Sequence, residues 1–224
     1  PSKSLLDSSH HYEDIIKNAV SHGIEINGKI NLNFNKMIER KNSVVNQTVK
    51  GIDFLMNKNK ISVFNGKASF IDKNNIKIEG CNDVINFKKC VIATGSKPIS
   101  LPFIKVDKER IITSTEALSL KEIPKNLTII GGGVIGLELG QVYKRLGSEV
   151  TVIEYSEKIT PFMDDDISKE LLKVLKKQKI NFLLSHEVFE VKRNNKKINI
   201  KAKNKEGKII NIESDYCLVS VGRK

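Results

Sequence analysis

The clearest chemical signature in this sequence is the run Gly131-Gly132-Gly133-Val134-Ile135-Gly136, which follows an apolar segment and opens a helical pattern. The first glycine permits a sharp turn. Gly133 lets the backbone approach a phosphate without a Cβ in the way, and Gly136 lets the helix pack closely on the strand. The helix N-terminus adds free N–H groups and a partial positive charge. This spacing predicts a binding site for the pyrophosphate of a dinucleotide.

A carboxylate at the end of the next apolar strand indicates which nucleotide would bind. Glu154 lies about 20 residues beyond the glycine run, where an acid accepts hydrogen bonds from the adenosine ribose hydroxyls and repels a 2′-phosphate. The residues that follow, Tyr155, Ser156 and Glu157, carry no positive charge. The sequence therefore favours NAD over NADP. The alternative, a glycine-rich turn that binds nothing, is disfavoured by the spacing and by this terminal acid.

Other residues with chemical potential have simpler explanations. His10 and His11 lie in a predicted helix with no third ligand at metal-binding spacing, so we expect them at the surface. Asp164-Asp165-Asp166 occupies the first turn of another predicted helix, where acids cap the chain and offset the helix dipole. The sequence therefore predicts no metal site.

The three cysteines, Cys81, Cys90 and Cys217, are widely spaced and form no Cys-x-x-Cys pair. This argues against a disulfide scaffold and against a zinc site. Cys90 and Cys217 each begin an apolar run, so we expect both to be small core residues. A reducing compartment is the expected environment for such a chain.

The charge balance, 38 Lys and Arg against 26 Asp and Glu in 224 residues, gives a formal net charge of +12. Nucleic-acid binding needs clustered cations. Here the lysines are dispersed, for example at Lys41, Lys58 and Lys77, and no basic stretch is interleaved with aromatic residues. We therefore expect no nucleic-acid partner. No apolar run reaches the roughly 20 residues that a membrane span requires, so we expect no membrane partner.

The elements that must position these residues follow two patterns along the chain. Before residue 98, apolar positions near a 3.6 period predict helices over 4–20 and 34–56. Alternation between residues 61 and 78 predicts antiparallel strands, and residues 90–93 predict a buried strand. From residue 125 strands and helices alternate, which is typical of an α/β fold. There we predict strands over 127–130, 149–153, 180–184 and 217–221, helices over 134–146 and 164–178, and a meander over 188–192, 198–202 and 208–212.

These motifs and their flanks resemble the dihydrolipoyl dehydrogenase family of flavin-dependent disulfide oxidoreductases over essentially the whole chain. Residues 1–6 are similar to the segment just after that family's redox disulfide, and Ala93-Thr94-Gly95-Ser96 is similar to the strand that closes its flavin domain. Ser114-Thr115-Glu116-Ala117-Leu118 and the run GGGVIGLELG at 131–140 are similar to its linker and NAD motif. Residues 219–223 are similar to the strand that returns to the flavin domain.

The resemblance implies an α/β fold with two nucleotide-binding parts. Residues 1–98 would form an incomplete FAD domain of helices and antiparallel strands, 99–124 a connector, and 125–224 a complete Rossmann-like, three-layer NAD domain. FAD would contact Lys3, Gly66, Thr94, Gly95 and Ser96. NAD would contact Gly131, Gly132, Gly133, Val134, Ile135, Gly136, Leu137 and Glu138, together with Glu154, Val188 and Gly222.

The resemblance also implies a reaction and its partners. Electrons would pass from dihydrolipoamide to a protein disulfide, then to FAD, then as hydride to NAD, with the cofactors carrying the chemistry. The implied assembly is a homodimer in the cytoplasm or the mitochondrial matrix. Its implied partner is the lipoylated acyltransferase of a 2-oxo-acid dehydrogenase complex or the lipoylated carrier protein of glycine cleavage.

The chain also departs from the family pattern. It lacks the redox cysteine pair, the first glycine fingerprint for FAD, the later flavin segment and the dimerisation domain with its His–Glu pair. We expect these before Pro1 and after Lys224, so we expect no catalytic residue within this chain. Two alternatives stay open: another member of the superfamily, such as a soluble transhydrogenase or a mercuric reductase, and a non-catalytic nucleotide-binding or basic interaction module.

Glu138 is an unexpected carboxylate, because Leu137 and Leu139 flank it and its helix should be mostly buried against the sheet. A buried carboxylate is costly unless it is paired. The resemblance offers Lys3 as a partner, close to the flavin N5. We predict that Lys3 and Glu138 form an ion pair; the alternative is that Glu138 points to solvent.

Overall fold

The computed structural model describes residues 1–81 and 83–224. They form two compact units, one made of Pro1–Val44 with Lys97–Lys224 and the other of Val45–Ser96. The assignment of residues 1–98 to FAD, 99–124 to a connector and 125–224 to NAD describes function rather than packing, and it stays a prediction.

The helices and strands follow one another in this order. The chain begins with α1 (Ser2–Lys17), a short 3₁₀ helix (Val20–His22) and α2 (Phe34–Lys58), then β1 (Ala68–Phe70), β2 (Asn75–Ile78) and β3 (Val84–Asn86). Next come β4 (Ile111–Ile112), α3 (Ser114–Ala117), β5 (Asn126–Ile130), α4 (Val134–Arg145), β6 (Glu149–Ile153), α5 (Asp165–Lys177), β7 (Asn181–Leu183), β8 (His186–Asn194), β9 (Lys197–Asn204), β10 (Ile209–Ser214) and β11 (Tyr216–Val219). The helices predicted near the N-terminus and every element predicted after residue 125 are confirmed.

A five-stranded parallel sheet, ordered β4-β11-β5-β6-β7, forms the centre of the first unit. Successive side chains of a strand point to opposite faces of the sheet. On β5, Ile129 packs with residues of α4 and α5, whereas Ile130 packs with residues of the antiparallel sheet β10-β9-β8. The parallel sheet therefore lies between a helical layer and a second sheet, which confirms the predicted three-layer α/β fold.

The register of the parallel sheet brings the ends of three strands together. Val219 of β11 pairs with Ile130 of β5, and Ile130 pairs with Ile153 of β6. The carboxyl ends of these strands therefore meet at one edge, which is where open α/β sheets bind ligands. Gly131 and Glu154 follow directly, so the register places the glycine run and the acid side by side.

The N-terminal helix packs on the helical layer. Leu5 of α1 and Met37 of α2 share a buried cluster with Val142 and Leu146 of the α4 region. Burying a side chain of this size stabilises a fold by roughly 1.5–3 kcal/mol. This packing explains why residues 1–44 belong to the same compact unit as the sheet, and it brings Lys3 to α4.

Two features of the first unit were not expected from the sequence. Strand β4 lies inside the predicted connector, where Ile111 pairs with Cys217 of β11 at the sheet edge. Lys41 is only 5% exposed, and its Nζ donates to Ser119 Oγ at 2.9 Å. Burial disfavours the ammonium form and therefore lowers the pKa of Lys41.

The second unit contains an antiparallel sheet in the order β1-β2-β3. Ile76 at its centre pairs with Phe70 on one side and Ile85 on the other. The prediction of antiparallel strands is thus confirmed from residue 68 onward. It is wrong for Ile61 and Val63, which lie outside the strands and are exposed.

The prediction of a buried strand over residues 90–93 is also wrong. Residues 90–93 lie outside every strand, Val91 is 89% exposed, and Cys90 is exposed rather than in a core. A strand buried on both faces needs hydrogen-bonded neighbours, and the part of the chain that the structure describes places no strand beside it. Cys217, in contrast, is completely buried, as predicted.

Candidate functional site

A cavity of about 680 Å³ opens at the carboxyl ends of β5, β6 and β11. This is the position at which a doubly wound sheet holds a nucleotide, and the volume falls within the usual range of about 300–1,000 Å³ for ligand pockets. Residues from the first unit line it: Pro98, Leu101, Phe103, Ser114, Ile130, Gly131, Gly133, Val134, Ile135, Ile153, Glu154, Tyr155, Thr160, Pro161, Phe162, Met163, His186, Glu187, Val188, Val219, Ser220, Val221, Gly222 and Arg223.

The structure requires glycine at some positions of the run and leaves space for a side chain at another. Gly131 has a φ of +102°, and a Cβ there would lie 2.5 Å from the Ser220 carbonyl oxygen. A Cβ on Gly136 would lie 2.5 Å from Ser220 Oγ and 2.9 Å from Ile129 Cγ2, so only glycine permits this contact between helix and sheet. A Cβ on Gly133 would meet no atom within 4 Å. Two of these glycines are therefore required by the fold, whereas Gly133 faces open space.

That open space adjoins the beginning of α4. Gly133 is the N-cap residue, and it has no side chain to accept a hydrogen bond from the first turn. The first N–H groups of a helix have no partner within the helix, and they carry the positive end of the helix dipole. The arrangement suits the pyrophosphate of a dinucleotide, since an anion can approach these N–H groups past Gly133.

Glu154 is a buried carboxylate, 8% exposed, that borders the same cavity. Its Oε2 accepts from the Gly132 N–H at 2.6 Å and its Oε1 accepts from the Ser156 N–H at 2.7 Å. A carboxylate offers about four acceptor positions, so two remain for other donors. Glu154 thus fixes the glycine turn from the side and keeps the capacity to accept ribose hydroxyls.

The segment between Glu154 and α5 folds back over the glycine run. Ile159 is fully buried, and the Thr160 N–H donates to the Gly132 carbonyl oxygen at 2.9 Å. In contrast, Tyr155 and Phe162 line the cavity and are 74% and 103% exposed. The sequence showed this segment only as a link between a strand and a helix.

The NAD residues expected from the sequence separate into two groups. Those that line the cavity are Gly131, Gly133, Val134, Ile135, Glu154, Val188 and Gly222. Gly132 lies behind the Glu154 side chain, Gly136 and Leu137 are buried between helix and sheet, and Glu138 is turned toward α1. Direct contact with NAD stays a prediction for all of them.

The predicted pairing of Lys3 and Glu138 is confirmed. Lys3 Nζ donates to Glu138 Oε1, and the two side chains are 78% and 24% exposed. An ion pair this exposed adds little to stability. The pair matters instead because it fixes the Lys3 ammonium beside the Glu138 carboxylate, in the N-terminal half of α4.

The other FAD residues, Gly66, Thr94, Gly95 and Ser96, belong to the second unit. Gly66 has a φ of +155°, and a Cβ there would lie 2.5 Å from Ile78 Cγ2, so packing alone requires this glycine. Gly95 has a φ of +72° in open space, which is compatible with close approach of a ligand. Their contact with FAD stays a prediction.

Sequence reasoning missed several residues of the site. His186 and Glu187 of β8 line the cavity, and His186 Nδ1 lies 2.7 Å from the Leu184 carbonyl oxygen. No local pattern identifies them, because β8 reaches the cavity only through its pairing and packing. The linker residues Pro98, Leu101 and Phe103 reach it in the same way.

The residues set aside as structural are not among those that line the cavity. Asp164 accepts from the Asp166 N–H at 2.9 Å, which confirms its role as a helix cap. His10 and His11 are exposed on α1. Within residues 1–81 and 83–224, no three His, Cys, Asp or Glu side chains are grouped to hold a metal ion. No helix formed by these residues is long and apolar enough to cross a membrane.

Comparison with known proteins gives consistent matches. The sequence model of the pyridine nucleotide-disulphide oxidoreductases matches residues 1–224. Dihydrolipoamide dehydrogenase of Chaetomium thermophilum is 43% identical over 230 residues, covering 100% of this chain and 45% of that protein. Dihydrolipoyl dehydrogenase of Bacillus subtilis is 41% identical over 227 residues, covering 100% of this chain and 49% of that protein. The chain therefore spans about half the length of the curated relatives it matches.

Solved structures agree on the architecture. The HOCl-induced flavoprotein disulfide reductase RclA of Escherichia coli superposes with a TM-score of 0.74 at 27% identity, covering 100% of this chain and 46% of that chain. LpdA of Mycobacterium tuberculosis superposes with a TM-score of 0.87 at 22% identity, covering 100% of this chain and 48% of that chain. At this identity the second likeness concerns the fold alone.

Proposed function

Because this chain belongs to the pyridine nucleotide-disulphide oxidoreductase family, we propose that it forms the NAD-binding part of a dihydrolipoyl dehydrogenase. The observation that carries the proposal is the cavity at the carboxyl ends of β5, β6 and β11, where the open side of Gly133 adjoins the start of α4 and Glu154 lines the wall directly after β6. The similarity to dihydrolipoyl dehydrogenases across the whole chain supports the choice of activity.

Each part of the chain has a task in this proposal. The N–H groups at the start of α4 hold the pyrophosphate, and Glu154 orients the adenosine ribose while excluding a 2′-phosphate. Lys3 would contact FAD, and Glu138 holds its ammonium in an ion pair. FAD and NAD, when bound, supply the hydride chemistry. The chain's own residues bind and orient them.

The proposal extends to substrate, assembly and compartment. The electron donor would be dihydrolipoamide, carried by a lipoylated acyltransferase or by the glycine-cleavage carrier protein, and the enzyme would be a homodimer. Relatives named as mitochondrial and relatives from bacteria both match, which supports the mitochondrial matrix or a bacterial cytoplasm. A second candidate is another flavoprotein disulfide reductase, which the likeness to RclA favours.

The proposed cofactor choice predicts a direct binding result. The 224-residue chain should bind NADH at least about tenfold more tightly than NADPH, because Glu154 repels the 2′-phosphate. Glu154→Arg should weaken NADH binding and erode or reverse this preference. Fluorescence titration with both nucleotides measures the ratio of dissociation constants.

Two further variants control this experiment. Glu149→Arg makes the same charge change at the exposed start of the same strand, outside the cavity, and should leave the ratio unchanged. Glu154→Gln keeps an acceptor for one backbone N–H and should reduce the preference without reversing it. Equal affinity of the parent chain for NADH and NADPH would refute the role given to Glu154.

The Lys3–Glu138 pair predicts a kinetic effect in the full-length enzyme. Lys3→Met should slow flavin reduction by about tenfold, because it removes a cation beside the flavin and leaves Glu138 uncompensated. The dissociation constant of NADH should change less than about twofold. Stopped-flow absorbance of the flavin measures the rate.

Lys17→Met is the matched control for this prediction, since Lys17 pairs with Glu13 at 2.5 Å on the same helix. An equal slowing of flavin reduction by both variants would contradict the role assigned to Lys3.

A further inference from the structure

Two lysines of the β9 hairpin lie close to residues that line the cavity. Lys203 lies on β9 opposite Glu187 of β8, and the next pair in the register is Asn204 with His186. Lys205 follows directly after the end of β9. Since His186 and Glu187 both line the cavity, this end of the hairpin lies beside it. Tyr155, Ser156 and Glu157 carry no positive charge, whereas the fold brings Lys205 to Glu157 and Lys203 to Glu187.

Each of these lysines is held by a glutamate. Lys203 Nζ lies 3.0 Å from Glu187 Oε2, and Lys205 Nζ forms a hydrogen-bonded ion pair with Glu157 Oε1. Glu157 stands three residues beyond Glu154, on the segment that returns to Gly132. The Lys205 ammonium lowers the pKa of the Glu157 carboxyl, so this carboxylate is charged at neutral pH.

These pairs matter more for local charge than for folding. Their four side chains are 46–74% exposed, and ion pairs that exposed contribute little to stability. A free ammonium at the adenosine end would attract the 2′-phosphate that distinguishes NADP from NAD. An ion pair has no net charge, so an ammonium that is paired with a carboxylate attracts that phosphate much less than a free ammonium does.

We propose that Glu157 and Glu187 are specificity-determining residues, which neutralise Lys205 and Lys203 and thereby deny a 2′-phosphate the cations it would bind. The inference rests on the proposed NAD site and extends it. Glu154 repels the phosphate from within the cavity, while these two glutamates remove the attraction from its rim. Selectivity for NAD then depends on three carboxylates that come from two separate parts of the chain.

The test uses the 224-residue chain with Glu157→Gln and Glu187→Gln, singly and together. Each single variant should tighten NADPH binding about two- to threefold, and the double variant about five- to tenfold, as expected for exposed charges. The ratio of the NADPH and NADH dissociation constants is the readout, because an effect that both nucleotides share cancels in this ratio. The gain should shrink at high salt, because the freed charges are exposed to solvent.

A matched control is available on the same hairpin. Glu190 of β8 pairs with Lys192 at 2.5 Å and with Lys201 at 2.9 Å, and it lies three residues further along the strand from the cavity-lining Glu187. Glu190→Gln frees lysines on the same sheet and should leave the NADPH to NADH ratio unchanged. Adding Lys203→Gln and Lys205→Gln to the double variant should cancel its gain.

The outcomes separate this inference from the function it rests on. If the parent chain binds NADH selectively but the ratio is unchanged in the double variant, the role of Glu157 and Glu187 is wrong and the NAD site stands. An equal gain from Glu190→Gln also overturns it, because general charge would then be the cause. A folded parent chain that binds neither nucleotide overturns the proposed function and this inference together; thermal unfolding verifies that each variant is folded.

Discussion

Gly136→Val should lower the free energy of unfolding of the chain by about 3 kcal/mol, as expected for a side chain forced into a fully packed contact. A Cβ at Gly136 would lie 2.5 Å from Ser220 Oγ, 2.8 Å from the Gly131 carbonyl oxygen and 2.9 Å from Ile129 Cγ2. The hydroxyl could rotate away, but the carbonyl belongs to the glycine turn and Ile129 is fully buried. The helix would have to move off the sheet, which would also disturb the cavity.

Gly133→Ala is the matched contrast for this prediction. A Cβ at Gly133 meets no atom within 4 Å, and the residue has an ordinary backbone conformation, so stability should change by no more than about 1 kcal/mol. The new methyl group would occupy the open side of the turn and should weaken NADH binding by about tenfold. Urea unfolding and NADH titration measure the two effects. If both variants lose the same stability, the two glycines do not have the separate roles that the geometry assigns.

The 224-residue chain should show no dihydrolipoamide–NAD turnover even while it binds NADH. Thiol–disulfide exchange needs an accessible thiolate close to a second sulfur. Cys217 is fully buried in the parallel sheet, and burial raises the pKa of its thiol. Cys81 and Cys90 are free thiols of the second unit, and the sequence holds no Cys-x-x-Cys pair. On the proposed function the chain would bind the final electron acceptor, but its three cysteines provide no dithiol relay to deliver the electrons.

The turnover experiment follows NADH formation at 340 nm with dihydrolipoamide and NAD, with added FAD in a parallel sample. NADH binding by the same preparation verifies that the nucleotide site is intact. Turnover at about 1 s⁻¹ or faster, in the range of ordinary enzymes, would show that residues of this chain supply the relay after all. Cys90→Ser would then identify whether the exposed thiol takes part.

Part of this structure follows from short stretches of sequence. The β5–α4–β6 unit and its terminal Glu154 were predictable, because a short apolar run, a helix of period 3.6 and the glycines between them are all local features. The helix cap at Asp164 is also a local feature, because its side chain accepts from the N–H of Asp166, only two residues further along the chain. The contact between Lys3 and Glu138 was also anticipated, but only through the resemblance to a family.

The predictions that failed depend on neighbours far away in the sequence. Residues 90–93 have the composition of a buried strand, yet a strand exists only where other strands supply its hydrogen bonds. The burial of Lys41 could not be predicted either, because nothing in its sequence neighbourhood distinguishes it from the exposed lysines. It is buried because α2 packs this side chain against Ser119. Burial is set by what packs on a residue, and the residue type alone does not reveal it.

The sequence by itself determined that strands and helices alternate after residue 125, with a glycine-rich turn after β5 and an acid directly after β6. Only the tertiary structure decided what surrounds that acid. Glu154 is held between the N–H groups of Gly132 and Ser156, and the end of the hairpin brings Lys203 to Glu187 and Lys205 to Glu157. The physical reason is separation along the chain. Charges about 50 residues apart become neighbours only when strand register and sheet packing bring them together, and no local periodicity encodes that approach.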